Sequence, residues 1–199
     1  SRILSFIIPP RVLFLSATGL LAAPRRRFYA RQAEAEQQAG AMHEKELETF
    51  LRSRIALSAA MAVEVRTASP AVVVLFAPLE PNLNHRDTAF GGSVSAVAIL
   101  AAWSVLYVRM QAEGLAGRIV IRRNSMSYDR PIASDFTASA TTPDAADWAR
   151  FRSTLARNRT ARIRVGAWIE SGGERAGELQ GEFAVIPVEA VPATRSRTP

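Results

Sequence analysis

Cysteine is absent from the 199 residues. Disulfides and cysteine-ligated metal sites are thereby excluded, and the redox compartment cannot be read. Histidine is nearly absent: His43 and His85 are too few and too separated for a His-based metal site of known spacing. No metal or cofactor is expected. A long apolar run is missing from the N-terminal segment. There Pro9-Pro10 leaves only VLFLSATGLLAA, 12 residues, where a membrane span needs about 20. Acid is missing from residues 1–33, which hold six arginines and no Asp or Glu. Most of the net charge of +7 therefore belongs to this segment, and a nucleic-acid-binding fold is not implied. The short apolar run suits a signal peptide by length, whereas Arg25-Arg26-Arg27 directly after it opposes export. An acid-free, Arg-rich opening also suits a transit peptide. The simplest expectation is that residues 1–41 form an extension outside the fold.

What is present fits one globular domain over residues 42–190, followed by a polar tail at 191–199. Hydrophobic residues make up 48% and charged residues 22% of the chain, enough to bury a core. MHEKELETFLRSRI spaces Leu47, Phe50, Leu51 and Ile55 along one helical face. AMAVEVRTA (60–68) and AVVVLFAPL (71–79) read as strands separated by Ser69-Pro70. After the loop EPNLNHRD, a long apolar helix is expected from about Thr88 to Gln111, ended by Gly114 and Gly117. Strands follow at 118–128, 135–142, 160–171 and 178–188. The stretch after Pro143 reads as either a short helix or a connection. A helix apolar on nearly all sides must be buried on nearly all sides. A strongly curved antiparallel sheet around it meets that demand, so the fold class is α+β.

The stretch NHRDTAFGGS (84–93) poses the sharpest question. Gly91 and Gly92 fall in the first turn of the long helix, although each glycine costs about 1 kcal/mol relative to alanine in a helix interior. Two readings stand side by side. Either the glycines let helix and strand pack closely, or they let a ligand reach the backbone. At a helix N-terminus the first N–H groups are free and carry about half a positive charge. Such donors suit an oxygen of a ligand that approaches the backbone there.

RIALSAAMAVEV (54–65), APLEPNLNHRDTAFGGS (77–93) and RRNSMSYDRPIASDFTA (122–138) together resemble the hotdog-fold thioesterase family named after the C-terminal domain of YiiD. The resemblance implies a sheet wrapped around one central helix. It also implies hydrolysis of an acyl-CoA or acyl-carrier thioester, with its carbonyl held at that helix's N-terminus. It places the N–H donors on Gly91, Gly92 and Ser93, and the water-activating work on Asn84, His85 or Asp87. Substrate contacts fall on Asn82, Thr88 and Phe90, with Arg122, Arg123 and Arg130 as readers of the CoA phosphates.

Related enzymes often carry an acid one or two turns into this helix. Here that position is Ile99, and no acid occurs from Thr88 to Ala112. Asp87 is then either the base or the N-cap of the helix, a position Asp favours. His85 has the side-chain type suited to base work near neutral pH, or is a loop histidine bonded to backbone. The missing helix carboxylate keeps open a non-catalytic acyl-thioester-binding module. A hotdog hydratase is disfavoured, because a D-x-x-x-x-H pattern starting at Asp87 meets Gly92. The resemblance further implies a homodimer or homotetramer, supported by apolar strand at VGAWIES (165–171), and a cytoplasmic location without a membrane span.

Overall fold

A computed structural model describes residues 43–187. The extension expected at 1–41 and the tail expected at 191–199 lie outside the described residues. The order is α1 (Glu44–Arg54), α2 (Ala56–Ala60), β1 (Glu64–Ala68), β2 (Val72–Ala77), a 3-10 turn (Glu80–Asn82), α3 (Gly91–Ala112), β3 (Arg118–Tyr128), β4 (Phe136–Thr141), α4 (Ala145–Ala156), β5 (Ala161–Ser171) and β6 (Glu174–Ile186).

The six strands form one antiparallel sheet in the order β1-β2-β4-β5-β6-β3. α3 packs against β2, β3, β4, β5 and β6. Its eleven buried residues, from Val94 to Met110, are spread around the helix rather than confined to one stripe. At about 1.5 Å per residue the 22-residue helix spans about 33 Å. It is long and apolar enough to cross a membrane, and the sheet wraps it as a core helix instead. The hotdog arrangement expected from the sequence is present.

Along β5 buried Ala161, Ile163, Val165, Ala167 and Ile169 alternate with more exposed neighbours, so one face meets α3. β5 is also hydrogen-bonded on both sides, to β4 and β6. VGAWIES therefore lies inside the sheet, and its backbone cannot extend the sheet into a second copy. Among the described residues the free edges belong to β1, with 5 residues, and β3, with 11.

Two strand starts differ from the sequence reading, and one open stretch is resolved. Ala56–Ala60 is helical, and β1 starts only at Glu64, after Ala62 turns the chain at φ 52°. β6 starts at Glu174 rather than 178, because Gly172 and Gly173 at φ 60° and 81° reverse the chain in two residues. The stretch after Pro143 is α4, capped by Asp144, whose carboxylate accepts from Asp147 N at 2.8 Å.

Candidate active site at the start of the central helix

Asn84 closes the loop between β2 and α3. Its backbone N–H donates to Thr88 O at 2.8 Å. Its Nδ2 donates to Thr88 Oγ1 at 2.8 Å and Ala89 O at 3.2 Å, and its Oδ1 accepts from Arg86 N at 2.7 Å. This is Asx-turn chemistry carried through almost every polar group of one residue. Asp87 sits at the corner of the turn with φ 58°, a conformation Asp and Asn tolerate better than most residues.

Asp87 is not the helix cap. Beyond the corner the chain is pinned in extended form: Ala89 N donates to Ile132 O at 2.8 Å, and Phe90 N to Asn82 O at 2.7 Å. Helical geometry therefore begins at Gly91, three residues later than expected, with Phe90 at the cap position and no side-chain cap. The first helical bond runs from Val94 N to Phe90 O at 3.0 Å. The N–H groups of Gly91, Gly92 and Ser93 have no acceptor among the described residues.

Two aromatic rings flank the glycines. A Cβ on Gly92 would stand 2.3 Å from Cε1 of Phe90. A Cβ on Gly91 would stand 3.5 Å from the Tyr128 ring, whose hydroxyl donates to Gly91 O at 2.9 Å. Phe90, Tyr128 and Leu83 are three of the five large apolar side chains that stand exposed among the described residues. They collect around this turn, since Leu83 is bridged to Ala89. Tyr128 belonged to the quoted strand pattern, but nothing in the sequence gave it a role at the glycines.

The other expected site residues divide by what they touch. His85 and Asp87 are exposed on the loop; Arg86 Nε donates to His85 Nε2 at 3.3 Å. Asn82 is 1% exposed and gives its amide to Met61 O and Pro78 O at 3.0 and 2.8 Å. Arg122 pairs with Glu182. Arg130 clamps the β5–β6 turn through Glu174 and through Ser171 O at 2.6 Å. Arg123 has no ion pair among the described residues and lines a groove of about 220 Å³ with Asn124, Ser125, Arg164 and Gln180. A larger groove, about 360 Å³, lies between α4 and the outer side of β5 and β6 and includes Arg150, Arg162 and Arg164. By register, Arg123 faces Glu182 and Tyr128 faces Gly177, so the two residues stand about 16 Å apart along β3, and alternation sets their side chains on opposite faces of the sheet.

The family model described as "Putative thioesterase (yiiD_Cterm)" matches residues 44–187. Among solved structures the chain is similar to a protein of unknown function from Chlorobaculum tepidum TLS, at 26% identity and TM-score 0.69, over 74% of this chain and 99% of that one. It is also similar to a "putative thioesterase" from Shewanella oneidensis, at 24% identity and TM-score 0.66, over 72% and 97%. A thioesterase from Haemophilus influenzae matches at 14% identity and TM-score 0.61, over 78% and 98%. The last two likenesses bear on the fold.

Proposed function

We propose that this chain, which belongs to the family described as "Putative thioesterase (yiiD_Cterm)", hydrolyses an acyl-CoA or acyl-carrier thioester at the glycine turn opening α3. The observation that carries the reading is the start of α3, where among the described residues no side chain caps the helix and no acceptor meets the N–H groups of Gly91, Gly92 and Ser93. Bound there, the thioester oxygen receives N–H donors and the positive end of a 22-residue helix. Water attacks the carbonyl carbon, the oxygen takes up the negative charge, and collapse expels the thiolate. Donors fixed before the reaction stabilise that charge without reorganising.

The water-activating group is sought on the loop, because α3 carries no carboxylate. His85 and Asp87 are the exposed titratable pair there. Asn84 holds the loop that presents them, its amide already engaged. Thr88 and Phe90 stand at the rim, and Asn82 supports it from below through its carbonyl. Arg123 is proposed first as the phosphate contact, ahead of the ion-paired Arg122 and Arg130.

Assembly as a homodimer, or a tetramer built from it, is proposed through the free edge of β3. Full-length antiparallel pairing of two β3 strands sets Arg118 of one copy opposite Tyr128 of the other, with Arg122 and Arg123 of both copies near the middle of the seam. That supports a substrate spanning both copies. Residues 42–190 are taken as the folding unit, with 1–41 as an extension. The location is proposed as cytoplasmic, the one span-length helix among the described residues being wrapped by the sheet.

A panel of acyl-CoA thioesters with free-thiol detection tests the reading. Release of CoA that Gly92→Val abolishes is the expected result. The second reading, a binding module without turnover, is favoured by the carboxylate-free α3. It predicts acyl-CoA binding by calorimetry with no thiol release.

A further inference from the structure

Tyr128 closes β3, and the sheet fixes its place. It faces Gly177 of β6, and Asp129 N next to it donates to Ala176 O at 2.9 Å. From there the ring reaches across 37 residues of sequence to the first residue of α3. The residue is 53% exposed, and its hydroxyl donates to Gly91 O at 2.9 Å. We infer that Tyr128 is a positioning residue for the oxyanion donors, a role that rests on the glycine turn holding the thioester carbonyl.

The Gly91 carbonyl and the Gly92 N–H belong to one planar, trans peptide unit and point in opposite directions. Holding the oxygen therefore sets the direction of the N–H. As the first residue of α3, Gly91 already offers its carbonyl to the intrahelical bond from Ser95 N–H; glycine on both sides nevertheless gives this unit unusual conformational freedom, and no side chain among the described residues caps the turn. The phenol adds a second donor to the same carbonyl, from the sheet. A hydrogen bond donated into the carbonyl also polarises the peptide and makes its N–H a stronger donor, since hydrogen bonds in a chain reinforce one another. The ring adds a steric limit: a Cβ on Gly91 would meet Cε1 and Cζ at 3.5 Å, ordinary contact. The turn is thus stopped on one side by Tyr128 and flanked at Gly92 by Phe90.

The test is Tyr128→Phe in the full chain, which keeps the ring and removes only the hydroxyl. With one acyl-CoA substrate, kcat is expected to fall roughly tenfold, the weight of one hydrogen bond. KM and the melting temperature are expected to stay near wild type, a split that a merely structural tyrosine would not produce. In a 15N-labelled protein the Gly92 amide resonance is expected to move upfield in the same variant. Tyr128→Leu, which also removes the ring, should lose more kcat than Tyr128→Phe. An active wild type whose Tyr128→Phe variant keeps its kcat overturns this role alone. A wild type that releases no thiol from any acyl-CoA overturns the thioesterase reading, and this role with it.

Discussion

A Cβ placed on Gly92 lands 2.3 Å from an aromatic carbon of Phe90, and Phe90 is 57% exposed. The ring can swing outward, so Gly92→Val is expected to fold. Valine is at least as good a helix former as glycine. Activity is another matter, because the branched side chain occupies the space in front of the free N–H groups. The expected loss is about 10²–10³-fold in kcat/KM, the weight of a lost oxyanion donor, with circular dichroism unchanged. Asp87 offers a second separation at this scale. At φ 58°, Asp87→Ala is expected to cost about 1–2 kcal/mol, whereas Asp87→Asn should leave the melting temperature nearly unchanged. If Asp87 is the base, Asp87→Asn costs about 10²–10⁴-fold in kcat/KM; if His85 is the base, His85→Ala carries that loss. The two glycines and the missing helix carboxylate were legible in the sequence, since each is a statement about one residue type at one position. Tyr128 was not, because its contact with Gly91 depends on sheet register 37 residues away. Nor was the true cap, because Asn84 closes its turn early and leaves Asp87 at the corner.

Among the elements, α1 is tied to β1 chiefly through Glu48. Its Oε2 accepts from Val65 N at 3.1 Å, while Lys45 and Arg52 lie 2.9 and 3.6 Å from Oε1. Burial pushes the Glu48 carboxyl upward, but Lys45, the Val65 amide and Arg52 together outweigh it and hold the group below the usual carboxylate range. The folded protein therefore binds this proton less readily than the unfolded chain, and the resulting stability is present above the ordinary carboxylate range and lost as pH falls through it. Glu48→Gln is expected to lower stability by about 1–2 kcal/mol at neutral pH. Its melting temperature should also drop less steeply than wild type between pH 6 and pH 3. A parallel drop would show that Glu48 contributes nothing to the acid limb. α1 is further held to α3 by the stack of Phe50, Tyr107 and Trp103, with Phe50 and Tyr107 centroids 4.9 Å apart. The six strands and α3 were readable because alternation and all-round apolarity report burial directly. α2 was not, because Ala56–Ala60 is too short to show a helical period and adjoins valines that read as strand.

For the whole molecule, the 11-residue free edge of β3 is the exposed strand that asks for a partner. Light scattering is expected to give a dimer or a multiple of it, and Ile121→Pro on that edge should shift the population toward monomer. A wild-type monomer at working concentration would remove the proposed site between copies. Substrate class belongs to this scale too, since Arg123 lies about 16 Å along the sheet from Tyr128. Arg123→Glu is expected to raise KM for acyl-CoA several-fold and leave hydrolysis of a short acyl thioester without phosphates unchanged. The charge that makes the chain basic was easily located in sequence, but its pairing was not. Arg122, Arg130 and Arg152 each meet a carboxylate from elsewhere in the fold, and Arg150 meets Asp147 one turn earlier.

The most direct measurement is thiol release from a panel of acyl-CoA thioesters, run with wild type and Gly92→Val at equal, verified fold content. The account predicts turnover of at least one thioester by wild type and its loss in the variant. Equal turnover by both proteins, or binding without any release by wild type, would contradict a hydrolytic site at the glycine turn.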